Sequence, residues 1–326
     1  MTTKQYLTED VGDAIRRLER DDTVAYIFPG QGSQYVGMAK DVAESSSSAR
    51  RIFDIADEIL EFALSALCFE GPEDELRATS NAQPAILTAS LGILAAALET
   101  GALQRCPAFM AGHSLGQYTA LVAAGSLRFE DALRLVRERG LLMEEAGRER
   151  PGTMAAIVGL DEATVTGICG ESGAEACNYN LESQMVVGGE PDAVERARKL
   201  ARERGGKGLP IKVSGAFHTS LMRPAAEKLR AVLAGTSVAE PMNPVISNVT
   251  GEPVGSGDEM LSDLADQIVS PVRWHQSINL MLSRGTKTFI EIGPGEVLTT
   301  MLKRHSADFE TTTLNSAEAI RRPANV

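Results

Sequence analysis

Residues 112–116 read Gly-His-Ser-Leu-Gly, a serine with a glycine two positions away on each side. A short apolar run, Pro107–Ala111, precedes them, and an alanine-rich stretch fit for a helix, 117–125, follows. Strand, sharp turn and helix form the context in which a G-x-S-x-G sequence presents a nucleophile. Glycines lack a Cβ, so the backbone can turn tightly and leave Ser114 Oγ exposed at the turn. The helix behind it opens with unpaired backbone N–H groups that could hold an oxyanion. The plainer alternative is a turn whose serine only caps a helix; the flanking strand and helix favour the nucleophile.

A serine hydroxyl needs a base within hydrogen-bond reach, most often histidine, and the chain has four histidines. His113 adjoins the serine on the elbow and points elsewhere, so it reads as a packing or hydrogen-bonding residue. His275 follows Trp274 at a helix start, and His305 lies at the basic end of the last helix, where a cation suits the helix dipole. His218 sits in Ser-Gly-Ala-Phe-His-Thr-Ser, residues 214–220, where a change in the rhythm of elements marks a junction between domains. Clefts at such junctions commonly hold small molecules. His218 is therefore the candidate base, weighed against a capping or core histidine.

Arg139 is the second informative residue. On a helix over 130–146, at about 3.6 residues per turn, it falls in the middle of an apolar face made by Leu133, Leu135, Val136, Leu142 and Met143. Arg134, Arg137, Glu138, Glu144 and Glu145 lie on the other side. An arginine among apolar side chains requires an anion. That anion could be a structural carboxylate or a substrate carboxylate held in a bidentate pair, and periodicity does not choose between them.

The glycine-rich turn Pro29–Gln34 follows a strand but lacks the lysine and spacing of a phosphate-binding loop, so nucleotide binding is not expected. Such a turn can still aim a backbone N–H at an oxyanion beside the serine elbow. Gly293-Pro294-Gly295 reads as a structural strand-to-helix turn.

These residues need a frame. A chain of 326 residues can bury one large core and a smaller one, and 43% apolar with 23% charged residues is ordinary globular composition. A net charge of -12 argues against a nucleic-acid partner, which calls for a basic surface. The four cysteines have neither metal-ligand spacing nor the density of a disulfide scaffold, as expected of a cytoplasmic protein. Residues 1–22 are polar and acidic, without a secretory signal. The longest apolar stretch, Ala82–Leu98, contains Gln83, Pro84, Thr88 and Ser90 and reads as a buried helix, so no membrane partner is expected.

Along the chain, a short surface helix is expected at 11–20 and a strand at Thr23–Phe28. Helices are expected near 49–67, 84–98, 116–124 and 130–146, alternating with short strands as in an α/β sheet covered by helices. The serine run Ser45–Ser48 reads as a loop or helix start. The stretch 152–214 differs: strand Thr153–Leu160, helix Asp161–Ser172 with an aspartate cap, strands Ala174–Asn180 and Gln184–Gly188, helix Pro191–Arg204, strand Gly208–Val213. That βαββαβ order is the ferredoxin-like unit. Helices near 219–234, 258–268 and 275–284 and strands near 244–249 and Lys287–Ile292 follow, then a final helix and a loose polar tail. The fold class expected is α/β: a large α/β-hydrolase-like catalytic domain from 23–150 and 215–315, with a small ferredoxin-like domain, 151–214, inserted. Residues 1–22 form an extension and 316–326 a tail.

Five segments then occur in a familiar order and spacing: Phe28-Pro29-Gly30-Gln31-Gly32-Ser33-Gln34, Gly112-His113-Ser114-Leu115-Gly116, Arg139-Gly140, Gly215-Ala216-Phe217-His218 and Glu291-Ile292-Gly293-Pro294-Gly295. Together they resemble the malonyl-CoA:acyl carrier protein transacylases and the related acyltransferase domains of polyketide synthases, over about residues 23–315; the joint pattern is far more specific than any one motif. The resemblance implies a serine–histidine acyltransferase with Ser114 as nucleophile and His218 as general base. It implies an oxyanion hole from the backbone N–H groups of Gln31 and Leu115. It assigns Arg139 to the free carboxylate of a malonyl group, and to Gln267 a main-chain carbonyl that orients the histidine. Asn180 would line the substrate channel. No tightly bound cofactor or metal is implied; malonyl-CoA is the donor, and the phosphopantetheine arm of an acyl carrier protein is the acceptor.

In polyketide acyltransferases the sequence Ala-Phe-His accompanies malonyl selectivity, because the ring of the residue matching Phe217 excludes an added methyl. Gly215 departs from the histidine or tyrosine that modular enzymes often carry there, which weakens that inference. Carrier proteins of this kind are acidic, so a basic patch is needed; Arg196, Arg198, Lys199, Arg202, Arg204 and Lys207 offer one, unless Glu195 and Glu203 merely balance a solvated face. A proofreading acyl hydrolase or a carrier-to-carrier acyltransferase of the same fold would share the serine and histidine but would have no use for Arg139. A carrier-docking scaffold without activity would need none of these residues. The N-terminal extension and Ala-Phe-His lean toward a polyketide rather than a fatty-acid setting and allow membership of a polyketide synthase assembly.

Overall fold

The computed structural model describes residues 7–322. Its strands are β1 (Glu19–Phe28), β2 (Arg105–Gly112), β3 (Thr153–Val158), β4 (Glu175–Leu181), β5 (Gln184–Gly189), β6 (Lys207–Ile211), β7 (Val245–Ile246), β8 (Thr288–Ile292) and β9 (Glu310–Leu314). Five of them form a parallel sheet in the order β7-β2-β1-β8-β9. The other four form an antiparallel sheet in the order β4-β5-β3-β6. The chain thus combines a parallel α/β layer with a small antiparallel one.

The central strand β1 ends in Val24–Phe28, all buried, as expected for a parallel strand covered on both faces. It pairs with β2 so that Phe28 stands opposite Gly112. The turn after β1 and the serine turn after β2 therefore leave the sheet side by side at its C-terminal edge, where open α/β sheets place their ligands. Helix Thr79–Glu99 passes behind this edge; it is long and apolar enough to cross a bilayer, but its apolar window is 89% buried inside the protein.

In the antiparallel layer, helix Glu162–Ser172 starts at Asp161, whose side chain accepts from Thr164 N at 2.8 Å. Helix Pro191–Glu203 carries proline in its first turn, where the missing N–H is not needed. The strand order is that of a ferredoxin-like unit. Two backbone bonds tie it to the rest: Tyr179 N donates to Val272 O and Val272 N to Cys177 O, each at 2.8 Å.

Several elements differ from expectation. The first described helix is Leu7–Arg16, and β1 already begins at Glu19, so residues 7–22 belong to the fold; residues 1–6 of the expected extension lie outside the described residues. Val11 and Ile15, four apart on one helical face, are buried and hold that helix to the body. The charged residues Glu19–Asp22 tolerate strand geometry because that end of β1 is exposed, and Glu19 pairs with Arg105 across the ladder. The helix foreseen near 49–67 is two helices, Ser47–Leu60 and Leu64–Glu70, parted at Glu61 with φ 57°. Ser46 caps the first of them, accepting from Ala49 N at 3.1 Å. The strand near 244–249 is only two residues long. The polar run Glu310–Leu314 forms an unforeseen strand, and the supposed loose tail forms helix Ala317–Arg321. That last helix is capped by Ser316 and anchored by Ala317 N on Asp41 Oδ2 at 2.7 Å, with Ile320 buried.

Candidate active site

The serine turn has the geometry its glycines allow. Ser114 takes φ 51°, in the left-handed region, which costs an L-residue about 1–2 kcal/mol. A Cβ at Gly112 would fall 1.9 Å from the Gly116 backbone, and one at Gly116 would fall 2.2 Å from Phe28 O. No other residue fits either position. Asn248 spans the turn from the other side: its Oδ1 accepts from Ser114 N at 2.6 Å and its Nδ2 donates to Gly112 O at 2.8 Å. The strained turn is therefore fixed both by close packing and by a buried amide.

Ser114 Oγ lies 2.8 Å from His218 Nε2, and His218 Nδ1 lies 2.8 Å from the main-chain carbonyl oxygen of Gln267. A carbonyl can only accept, so Nδ1 carries the proton and Nε2 is left as the acceptor for the serine hydroxyl. Burial, and then the nearby charge of Arg139, pull the His218 pKa down to about 3. The imidazole is thus neutral at physiological pH, with the Nε2 lone pair open to the serine hydroxyl.

Arg139 is 1% exposed. Nη1 donates to Gln83 Oε1 at 2.7 Å, and Nη2 donates to Gln267 Oε1 at 3.0 Å and to Ser114 Oγ at 3.2 Å. Among the described residues its Nε–H has no acceptor, and the guanidinium lies 5.7 Å from the centre of the Tyr118 ring. All its hydrogen-bond partners among the described residues are neutral. A buried cation held by amides and a hydroxyl, with a donor to spare, is ready for an incoming anion. The structural-carboxylate alternative has no such group here.

The backbone N–H groups of Gln31 and Leu115 have no protein acceptor among the described residues, as anion donors require. The two turns touch: a Cβ at Gly30 would fall 2.3 Å from His113 O, and His113 N donates to Phe28 O at 3.1 Å. Ser114, His218, Gln31 and Phe217 all face one cavity of about 820 Å³, bounded on the other side by Met154, Val186 and Ile211 of the antiparallel sheet. The cavity thus opens between the two layers. Among the described residues no cluster of three or more His, Cys, Asp or Glu side chains could hold a metal ion.

One sequence expectation needs correction. Asn180 does not face the cavity: its Oδ1 is bonded to His113 Nε2 at 2.9 Å, and Asn178 lines the wall instead. Irregular pairing of β4 against β5 on either side of these residues breaks the simple alternation from which faces are read. His113 packs edge-on to Trp274 and bonds Asn180 as a packing residue does, but it also lines the cavity beside Ser114, so it does not point wholly away from the site. Of the two readings of the basic run on helix Pro191–Glu203, the ion pairs favour the balanced solvated face: Arg198 and Arg202 pair with Glu195, Lys199 with Glu203 and Arg204 with Glu171. Arg196 donates to Ser172 O.

Sequence reasoning missed Gln83, Gln117 and Asn248. Gln117 Oε1 accepts from Asn248 N at 2.9 Å and from Gln267 Nε2 at 3.0 Å, closing a buried amide network beneath the nucleophile. The one sequence signal was polar residues inside otherwise apolar runs, as with Gln83 in Ala82–Leu98.

Fold and site together define an acyl transferase: residues 25–320 match the acyl transferase domain family. Among its relatives is the malonyl CoA-acyl carrier protein transacylase of Bacillus subtilis, 45% identical over 91% of this chain and 95% of that protein. The polyketide biosynthesis protein ThaF of Burkholderia thailandensis is 42% identical over 86% of this chain, which spans only 24% of it. A solved malonyl-transacylase, in complex with its type II polyketide synthase acyl-carrier protein, superimposes with a TM-score of 0.88 at 39% identity, covering 91% of this chain and 97% of that one. The chain belongs to the malonyl-CoA–acyl carrier protein transacylase family.

Proposed function

We propose that the protein transfers a malonyl group from malonyl-CoA to the phosphopantetheine thiol of an acyl carrier protein by a ping-pong mechanism. The observation that carries this reading is Arg139, buried with no carboxylate partner among the described residues and within hydrogen-bond reach of Ser114 Oγ. Ser114 Oγ attacks the thioester carbonyl while its proton passes to His218 Nε2. Gln267 O holds the imidazolium through Nδ1–H, so no aspartate is needed. The N–H groups of Gln31 and Leu115 stabilise the tetrahedral oxyanion, each worth about 3 kcal/mol by analogy with other acyl-transfer sites. Collapse expels coenzyme A as a thiolate, which takes the proton from His218 and leaves malonyl-Ser114. The carrier thiol then attacks that ester, giving its proton to His218, and collapse returns both serine and histidine to their starting forms. Arg139 holds the malonyl carboxylate throughout both halves.

The finer architecture fits this reading. A nucleophile turn after a parallel strand is the device of α/β-hydrolase-like domains, and residues 151–214 act as an inserted small domain that supplies the far wall of the cavity. No tightly bound cofactor enters the cycle. The four cysteines are unpaired, in keeping with a cytoplasmic setting, and Ala-Phe-His leans only slightly toward service in a polyketide synthase assembly over fatty-acid synthesis. A proofreading hydrolase would have to admit water to the acyl-serine and would leave Arg139 without a task. Incubation with mixed acyl-CoA donors and mass spectrometry should find a malonyl adduct on Ser114. It should be absent from Ser114→Ala and should pass to an added carrier protein; an adduct that goes only to water would establish the hydrolase instead.

A further inference from the structure

The main-chain donor assigned to residue 31 sits on a turn closed by Ser33 N and Oγ on Gly30 O, at 3.3 and 2.8 Å, and by Gly32 N on Gln34 Oε1 at 2.7 Å, none of which holds residue 31 itself. Gln31 is exposed, Gly32 beside it has φ 105°, and a Cβ at Gly32 would touch nothing. Among the described residues Gln31 makes one hydrogen bond: Nε2 donates to Thr79 Oγ1 at 3.1 Å. Thr79 is 1% exposed, and its hydroxyl lies 3.1 Å from Ser214 Oγ. A hydroxyl that accepts from Gln31 can still donate to, or accept from, Ser214. Gln31, Thr79 and Ser214 thus form a chain from the oxyanion turn to the segment that leads into Phe217 and His218.

The far end of this chain is rigid. A Cβ at Gly140 would fall 2.8 Å from Thr79 O, and one at Gly147 would fall 2.8 Å from Ser214 O. Ser80, next in sequence, is gripped by the same helix: its N donates to Glu144 Oε1 at 2.9 Å and its O accepts from Arg137 at 2.7 Å. Helix Phe129–Glu149, which carries Arg139, thereby locates both hydroxyls through two glycine contacts. The side chain of residue 31 is thereby referenced to the helix that would bind the acyl group.

We propose that Thr79 is a positioning residue for acyl transfer, its hydroxyl braced on Ser214 and holding Gln31 so that the residue 31 N–H stays aimed at the oxyanion. The inference rests on the acyl-transfer reading of the site but not on the identity of the acyl group.

The test is pre-steady-state acylation of Ser114 with two donors, malonyl-CoA and p-nitrophenyl acetate, in wild type, Thr79→Val, Thr79→Ser, Gln31→Ala and the Thr79→Val/Gln31→Ala pair. Because the brace weakens an oxyanion donor without deleting it, Thr79→Val should lower the acylation rate constant about tenfold. Half-saturation by malonyl-CoA should not change, and Thr79→Ser should restore the rate to within about twofold of wild type. The double variant should be no slower than the slower single, as expected of groups acting as one unit. A wild-type rate in Thr79→Val, a loss seen only as raised half-saturation, or additive losses in the pair would each overturn the proposal. Slowing with the acetate ester in an enzyme that ignores malonyl-CoA would uphold the brace and sink the malonyl reading; a wild type inert to both donors would sink both.

Discussion

Arg139 Nη2 lies 3.2 Å from Ser114 Oγ, so a buried cation touches the atom that must become the nucleophile. The same guanidinium bonds the Gln267 side chain, whose main-chain carbonyl holds His218. Gln267 thus links the buried guanidinium to the imidazole, the two groups to which the proposed transfer gives the acyl charge and the proton. A carboxylate entering here is paired by a charge already desolvated, so the cost of burying that cation is met in the fold and not on binding.

Replacing Arg139 by alanine should therefore remove cargo selection while leaving a reactive serine. Losing one partner of a buried charge pair costs about 3–5 kcal/mol. The ratio of kcat/KM for malonyl-CoA over acetyl-CoA should accordingly fall by at least about a hundredfold, with acetyl transfer changed much less. A variant that still prefers malonyl over acetyl donors would assign the carboxylate to another residue.

The pH profile should carry the mark of His218. Its pKa is pulled to about 3, first by burial and next by Arg139, so the free enzyme keeps a neutral base through the range where an ordinary imidazole titrates. The acid limb of kcat/KM should lie well below the usual midpoint near 6.5. In Arg139→Gln the second cause is gone, and that limb should move upward. For stability the sign is the reverse of a salt-bridged histidine. Above about 6.5 both folded and unfolded forms are neutral at this site; as pH falls below that value the unfolded chain binds a proton the folded one refuses. Stability should thus decline between about pH 6.5 and 3, by up to about 1.4 kcal/mol per unit for this one group. Replacing His218 by glutamine should flatten that part of a denaturation-versus-pH series.

The amide beneath the elbow should matter to the chemistry as well as to folding. Asn248→Ala leaves Gly112 O and the Ser114 N–H unpaired in a buried place, at about 1–3 kcal/mol each. Chemical denaturation should show a loss in that range or above, and the Ser114 acylation rate should drop even below the temperature where the variant begins to melt. Asn248→Asp keeps an acceptor for Ser114 N but sets a carboxylate against Gly112 O, and should be no better. An alanine variant as fast as wild type would show that the glycine packing alone holds the turn.

The parts of this site that were legible in the sequence are those fixed by sterics or by periodicity. Gly112 and Gly116 announce a turn because their Cβ positions are occupied by backbone, and Arg139 announces itself by interrupting an apolar face. The βαββαβ stretch was readable to within about two residues at most boundaries because an aspartate cap, a proline at a helix start and alternating strands agree there. Asn248 and Gln117 were not legible, since an amide's partner is set by tertiary approach and not by spacing along the chain. The same holds for β9, whose Glu-Thr-Thr-Thr-Leu has no apolar alternation and is a strand only because β8 offers it a ladder. The helix cations Arg198 and Arg202 read as a patch in one dimension, but in three they face Glu195.

Phe217 tests how finely the cavity reads its cargo. The side chain is 6% exposed and lines the cavity beside Ser114 and His218. In the proposed transfer, a ring at that place would take the space that a methyl on the central malonyl carbon needs. Phe217→Ser opens that space without touching Arg139, so the charge requirement should persist while the steric one relaxes. One methyl in an apolar pocket is worth about 1–3 kcal/mol, or roughly 10–200-fold in discrimination. Competition between malonyl-CoA and methylmalonyl-CoA, read as the ratio of the two adducts on Ser114, should shift toward methylmalonyl by a factor in that range, and acetyl should gain nothing. A ratio that stays put would move the methyl-excluding contact away from Phe217, with Met143 on the same wall as the next side chain to shorten.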